Sequence, residues 1–213
     1  MKSTIQDKTK LVNSVFSKVY RKYDLMNDVM SFGVHRLWKK NLIDWMKPQT
    51  NSFLIDVASG TGDLAHMFSK KTNDKSKIAC IEPNKEMLGV GKGKLKNYKN
   101  INWYNCRAEK LPFKDNTFDF YTISYGIRNV GNINLCLKEA YRVLKIGGRF
   151  MCLEFSKIEN ENLDFFYKKY SKLIPKIGEI VVGNKKPYEY LVKSIENFIS
   201  QKQLIEKMKK KKF

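Results

Sequence analysis

The sequence predicts an α/β fold, a parallel sheet with helices packed on both of its faces. Two observations predict it. Between Ser52 and Ser156 short apolar strands alternate with helical segments, the pattern of a sheet covered on both sides. The first strand also ends in an acidic residue and turns through a glycine loop into a helix: Leu54-Ile55-Asp56-Val57-Ala58-Ser59-Gly60-Thr61-Gly62-Asp63. The 213 residues suit a single domain. Within it, residues 1–50 read as a helical N-terminal cap, 51–156 as the sheet, and 157–213 as a helical C-terminal part with a Lys-rich tail.

In the cap, Leu11, Val15, Phe16, Val19 and Tyr20 recur at helical spacing, and a second helix runs from Val34 to Met46 ahead of Pro48. The predicted strands are Phe53–Val57, Ile78–Glu82, Ile101–Asn105, Phe120–Ser124 and Phe150–Phe155. Helices are expected around 63–71, 84–97 and 132–145, the last closed by Gly147-Gly148. The C-terminal part is helical with breaks expected at Pro175, Gly178, Gly183 and Pro187, and Lys209-Lys210-Lys211-Lys212-Phe213 reads as a frayed tail.

Composition narrows the function classes. An apolar share of 42% and an aromatic share of 13% belong to a folded chain. No stretch approaches the roughly 18 consecutive apolar residues that span a bilayer, and the first residues have no apolar signal core. A soluble or peripheral protein is expected. Cys80, Cys106, Cys136 and Cys152 lack CxxC spacing and read as reduced core thiols of a cytosolic protein, with no metal site. Net charge is +20, from 41 basic and 21 acidic side chains, yet only six of the basic ones are Arg. Lys is the weaker choice for bidentate phosphate or base recognition, and the lysines are dispersed. Nucleic acid is therefore not expected as a partner, and the lysine excess reads as compositional drift or as attraction to an anionic membrane surface.

The glycine loop offers backbone N–H groups and a helix N-terminus to a ligand. Dinucleotide-binding loops share this layout with GxGxxG spacing. Here Ala65 stands at the third glycine's position, which leaves that reading open on spacing alone. Two residues weigh against it. Asp56, just before the loop, repels a pyrophosphate but accepts hydrogen bonds from a cation, and Glu82, at the end of the second strand, suits two ribose hydroxyls. Both fit S-adenosylmethionine, which carries adenosine and a positive sulfonium but no phosphate. Ligands of open α/β sheets lie outside the carboxyl ends of the strands, so Asp56, Glu82, Arg107 and Ser124 should converge on one crevice.

A family resemblance rests on particular segments. From about Phe16 to Gly183 the chain resembles the ubiquinone/menaquinone biosynthesis C-methyltransferases. The segments are Lys22-Tyr23-Asp24-Leu25-Met26-Asn27-Asp28, Met30-Ser31-Phe32-Gly33 and His35-Arg36-Leu37-Trp38-Lys39, then the loop from Asp56 to Asp63. Ala108-Glu109, Leu111-Pro112-Phe113, Asp115–Asp119, Gly126-Ile127-Arg128-Asn129, Tyr141–Lys145, Gly147-Gly148-Arg149 and Leu153-Glu154-Phe155-Ser156 complete it. The glycine loop is common to all class I methyltransferases; the segments around Tyr23–Asn27 and Gly126–Asn129 are more specific to this family.

The resemblance implies a class I methyltransferase fold with Rossmann-like topology. It also implies methyl transfer from S-adenosylmethionine to a ring carbon of 2-polyprenyl-6-methoxy-1,4-benzoquinol or demethylmenaquinol. Asp56, Gly60, Thr61, Gly62, Glu82, Arg107, Ala108 and Ser124 are the expected donor-binding residues. The family usually has Asp at the position of Glu82 and Asn or Asp at that of Arg107, and a positive Arg107 beside a cationic donor is unexpected. Members also close with two further strands, which this sequence lacks after its last helix, so the fifth strand should form an open edge.

For the chemistry, the hydroquinone must act as a carbon nucleophile, and something must accept or stabilise its phenolic proton. Arg128 is expected as oxyanion partner and Asn129 as a hold on the ring oxygen or a water. Tyr23, Asp24 and His35 are the polar candidates from the cap, with Asp24 or a water taking the proton; capping a helix is the plainer role for Tyr23 and Asp24. Phe165, Phe166, Tyr167, Tyr170, Leu173 and Ile174 are candidates for one wall of a tunnel for the polyprenyl tail, or ordinary core. A tailed substrate implies peripheral contact at the inner face of the membrane (the matrix face in a mitochondrion), with a homo-oligomer or quinone-synthesis complex as further partners. Competing readings are a methyltransferase for another acceptor and a non-catalytic scaffold.

Overall fold

In the computed structural model, residues 12, 14, 15, 17, 25, 27, 28, 31–156, 158, 161–183, 185–211 and 213 are described. Helix α1 (His35–Met46) precedes strand β1 (Phe53–Val57), and α2 (Asp63–Lys71), β2 (Lys77–Ile81), α3 (Lys85–Lys94) and β3 (Ile101–Tyr104) follow. Then come β4 (Phe118–Ser124), a 3-10 turn (Ile127–Asn129), α4 (Ile133–Val143) and β5 (Leu144–Leu153). Three helices end the chain: α5 (Glu161–Val182), α6 (Lys186–Glu196) and α7 (Gln201–Lys209). The strands are all parallel, in the order β3-β2-β1-β4-β5, so that β1 lies at the centre.

The period-2 alternation of each strand divides two cores. Leu54, Ile78, Cys80 and Phe120 face Leu42, Ile43 and Met46 of α1 and Leu64, Ala65 and Phe68 of α2. Ile55, Val57, Ile81, Tyr121 and Ile123 face Cys136, Leu137, Ala140 and Val143 of α4, with Leu204 and Met208 of α7 alongside. Both faces of the sheet are thus covered, as expected, and among the described residues the sheet has five strands. The four cysteines are unpaired thiols.

Three local expectations are corrected. Helix α4 stops at Val143 rather than 145, because β5 starts at Leu144 and bulges outward through Lys145–Gly148 before pairing again at Arg149. Helix α5 runs through Pro175 and Gly178 without a break. Gly178 is there for packing: a Cβ at that position would lie 2.2 Å from Cδ2 of Tyr188, whose ring fills the place. Pro187 opens α6 instead of interrupting it, the position where a missing N–H costs nothing. Gly183, at φ 76°, does end α5.

Of the N-terminal segment, the isolated described residues are helical, and Val15 is buried. Leu11, Phe16, Val19, Tyr20, Tyr23 and Asp24 lie outside the described residues. No described helix is long and apolar enough to cross a membrane.

Candidate active site

The turn after β1 reverses the chain within five residues. Ala58, Gly60 and Gly62 all have positive φ, at 53°, 57° and 86°. Gly62 is required twice over. Its φ disfavours an L side chain, and a Cβ there would lie 2.8 Å from Leu95 and 2.9 Å from Trp103. The loop is tied to β2, with Ser59 N–H donating to Ile81 O at 3.1 Å and Gly60 N–H donating to Glu82 Oε2 at 2.9 Å.

Two buried carboxylates stand at the carboxyl ends of neighbouring strands. Glu82 follows β2 and accepts from Gly60 N–H on one oxygen and from Asn84 N–H, at 2.9 Å, on the other. Burial pushes its pKa up from 4.5 to about 7. Asp56 pairs in register with Cys80 on one side and Thr122 on the other. Its Oδ1 accepts from Thr122 Oγ1 at 2.8 Å, while Oδ2 is buried with no hydrogen-bond partner among the described residues. Burial lifts this carboxyl from 3.8 to about 7. Among the described residues Ser124 Oγ is likewise buried without a partner. Unsatisfied polar atoms are costly inside a protein, and here they converge on one hollow, the signature of a site built for a polar ligand.

That hollow has two adjoining lobes that share Ala58, Gly60 and Tyr125. The larger, about 710 Å³ with its open mouth, is lined by Glu82, Asn84, Met87, Arg107, Ala108, Gly126, Asn129 and Val130 among others, and Val12 of the cap covers part of it. The cap is fastened nearby, where Asn84 Nδ2 donates to Ser17 Oγ at 3.0 Å and Ser17 Oγ donates to Glu86 Oε2 at 3.0 Å. The smaller lobe is lined by Asp56, Thr61, Ser124 and Lys39. Of the eight expected donor-binding residues, seven line this double hollow. Gly62 does not, and serves the turn.

Lys39 was not legible as a site residue. It reaches inward from α1, buried, and its Nζ donates to Asp63 Oδ2 at 3.2 Å; Lys94 Nζ holds the other oxygen of the same carboxylate at 2.5 Å. With two ammonium groups on it, Asp63 titrates at about 2 although burial pulls the other way. Arg107 is 39% exposed, and its Nε lies 3.5 Å from Glu109 Oε2. That acid also caps the start of α4 by accepting from Gly131 N–H and Asn132 N–H. The positive charge that the sequence set beside a cation is thereby largely balanced.

At the carboxyl end of β4, Arg128 and Asn129 part company. Asn129 lines the larger lobe, and its Oδ1 accepts from Tyr190 OH of α6 at 2.9 Å. Arg128 is buried on Glu154: Nη1 pairs with Glu154 Oε1 and also donates to Tyr125 O at 2.8 Å, and Nε donates to Ser194 Oγ at 3.2 Å. Its guanidinium lies 5.8 Å from the ring centre of Phe155. Arg128 was expected to face the substrate ring, and this engagement turns it toward the protein interior. His35 is also held inside, between Ser31 Oγ at 3.1 Å and Asp28 Oδ1 at 3.7 Å, and burial lowers its pKa. Tyr23 and Asp24 fall outside the described residues.

Beyond β5 a third hollow, largely apolar, is lined by Phe32, Trp38, Leu153, Phe155, Ile158 and Tyr167, with Glu154 at its wall. Of the expected tunnel residues, Tyr167 lines it and Tyr170 stacks on Phe32 at 4.3 Å. Ile174 is core, whereas Phe165, Phe166 and Leu173 are exposed.

The comparisons with known proteins agree with one another. The model of the ubiE/COQ5 methyltransferase family matches residues 2–213. The ubiquinone/menaquinone biosynthesis C-methyltransferase UbiE of Rickettsia bellii (strain RML369-C) is 54% identical over 202 residues, covering 92% of this chain and 81% of that protein. Among solved structures, a SAM-dependent methyltransferase of Thermotoga maritima superposes with TM-score 0.62 at 24% identity, over 93% of this chain and 79% of that one. Phosphoethanolamine N-methyltransferase 2 of Haemonchus contortus, solved with S-adenosyl-L-methionine, gives 0.60 at 17% identity, over 82% of this chain and 36% of that one.

Proposed function

Because the chain belongs to the ubiE/COQ5 methyltransferase family, we propose that it moves a methyl group from S-adenosylmethionine to a ring carbon of a polyprenyl hydroquinone. The observation that carries the reading is the pair of buried carboxylates, Asp56 and Glu82, on one hollow, with an oxygen of Asp56 left for a ligand. A cation with a ribose fits that pair; a pyrophosphate would meet two acidic groups.

The donor, when bound, supplies an electrophilic methyl on a positive sulfur. The residues of this chain do the rest. Glu82 is positioned to accept from the ribose hydroxyls while the backbone N–H groups of Gly60 and Asn84 hold it in place. Asp56 Oδ2 and Ser124 Oγ take the ammonium end in the smaller lobe, where Lys39 attracts the carboxylate. Thr61 closes that lobe and Ala108 flanks the adenine, with Arg107 neutralised by Glu109. Asn129 donates to the phenolic oxygen of the acceptor. Arg128, engaged by Glu154, is a positioning residue for the turn that carries Asn129. Tyr23 and Asp24 stay as the candidates for the acceptor's proton. Holding both reactants in line and excluding water supplies much of the acceleration.

The apolar hollow beside Phe32, Trp38 and Phe155 suits the start of an isoprenoid tail. From there α5 exposes a stripe, Phe166, Leu173 and Ile180, at helical spacing, with Lys169, Lys172 and Lys176 alongside. We propose that this face rests on the anionic inner leaflet of the membrane, each interfacial Lys adding about 1 kcal/mol. Co-sedimentation should rise with the phosphatidylglycerol content of vesicles, and equal binding to neutral vesicles counts against it. For the reaction, calorimetry should detect S-adenosylmethionine at micromolar levels, and expression in cells lacking this methyltransferase should restore the methylated quinone. Folded protein that fails to bind the donor at millimolar levels sinks the proposal. The quinone recovered identifies the ring, benzoquinol or naphthoquinol.

A further inference from the structure

We infer that Tyr190 is a positioning residue for the reaction, fixing the side-chain amide of Asn129 so that its NH2 faces the hollow. The inference rests on the reading of Asn129 as the contact to the acceptor's oxygen. An asparagine amide presents an acceptor at one end and two donors at the other, and rotation about its last bond exchanges them. A developing phenolate needs the donor end. Tyr190 OH donates to Asn129 Oδ1 at 2.9 Å, which occupies the acceptor end and leaves Nδ2 for the hollow that Asn129 lines. Burial raises the pKa of Tyr190, so the hydroxyl stays protonated as a donor over the physiological range.

The arrangement does not stop at one residue. Ser194, one turn further along α6 and on the same face, accepts from Arg128 Nε at 3.2 Å and in turn donates to Leu191 O at 2.7 Å. Helix α6 therefore grips both polar side chains of the Ile127–Asn129 turn. It is itself seated by Leu191 and Ile195, which pack with Ile174 and Tyr188 in a separate small core. A helix some sixty residues downstream in the chain, with Tyr190 outside the lining of all three hollows described above, thus sets the orientation of a group inside one of them.

Tyr190→Phe removes one oxygen and tests this in two independent ways. The first needs no acceptor. The side-chain amide signals of Asn129 in a 15N-labelled protein, assigned by their loss in Asn129→Asp, should shift and exchange faster in Tyr190→Phe. Amide signals that stay put overturn the inference. The second uses a diprenyl hydroquinone with labelled donor. In Tyr190→Phe, kcat should fall about tenfold with the donor's KM within twofold, and the substitution should have no further effect in an Asn129→Ala background. Independent, multiplying losses in the double variant would also overturn it. If the wild-type chain leaves the hydroquinone unmethylated, the proposed function fails while the amide signals still decide the part played by Tyr190.

Discussion

Asp56→Asn should stabilise the ligand-free protein at alkaline pH and weaken its hold on the methyl donor. The carboxyl is buried and titrates at about 7 in the folded protein against 3.8 for its ordinary value. Between those values the folded chain keeps a proton that the unfolded chain has released. Stability therefore falls as pH rises from about 4 to about 7, and the whole loss is present above that window. At about 1.4 kcal/mol per pH unit, the cost is roughly 4 kcal/mol at pH 8 and under 2 kcal/mol at pH 5. Asparagine carries no charge and keeps the bond from Thr122 through its own oxygen, but its NH2 replaces an unpartnered atom at a cost of about 1–3 kcal/mol. The Asp56 carboxylate also helps to raise Glu82, so its removal lowers the pKa of Glu82 and adds to the variant's gain at alkaline pH in the same direction. Urea unfolding at the two pH values should show the variant gaining on the wild type by about 3 kcal/mol between pH 5 and pH 8. Calorimetry should show donor affinity reduced by about tenfold to a hundredfold, the worth of a charge-assisted hydrogen bond. A stability difference that stays flat with pH, or an unchanged affinity, refutes the reasoning.

Further outcomes follow from other contacts. Glu154→Gln leaves Arg128 buried without its carboxylate, and should cost about 3–5 kcal/mol in urea unfolding. Gly178→Ala forces a methyl group into the ring of Tyr188 and should cost about 1–3 kcal/mol. Tyr188→Phe should have the opposite sign: its buried hydroxyl has no hydrogen-bond partner among the described residues, and removing it should raise stability by about 1 kcal/mol, readable as a higher melting temperature. Lys39→Met removes one of two ammonium groups from Asp63, and should lower donor affinity about tenfold in titration calorimetry with little change in the melting temperature.

The strands and the glycine loop were legible because their signals are local. Short apolar runs such as Phe53–Val57 between helical segments marked the strands, and the spacing of Gly60 and Gly62 gave the turn, so Asp56, Glu82 and Ser124 could be set at strand ends that share one crevice. What sequence missed depends on contacts between distant segments. Nothing near Lys39 tells that α1 lies over α2 and drives that ammonium toward Asp63. Arg128 and Glu154 are 26 residues apart, and the segments that contain them carry no sign of pairing. Pro175 and Gly178 read as breakers by their local preference, yet the packing of α6 against α5 keeps the helix continuous. Tyr190 offered no local signal at all, since its partner Asn129 is known only once α6 is docked.

The position of β1 has a kinetic consequence. Its backbone amides are paired on both sides, by β2 and β4, whereas β5 pairs among the described residues only with β4. In amide hydrogen exchange β1 should open only with the whole molecule, and β5 in smaller, more frequent events. Asp56 and the glycine loop hang from the slow strand, and Glu154, the counter-ion of Arg128, follows the fast one. The side of the pocket built from Asp56 and the glycine loop should therefore open least often, and the Glu154 side that backs Arg128 more often.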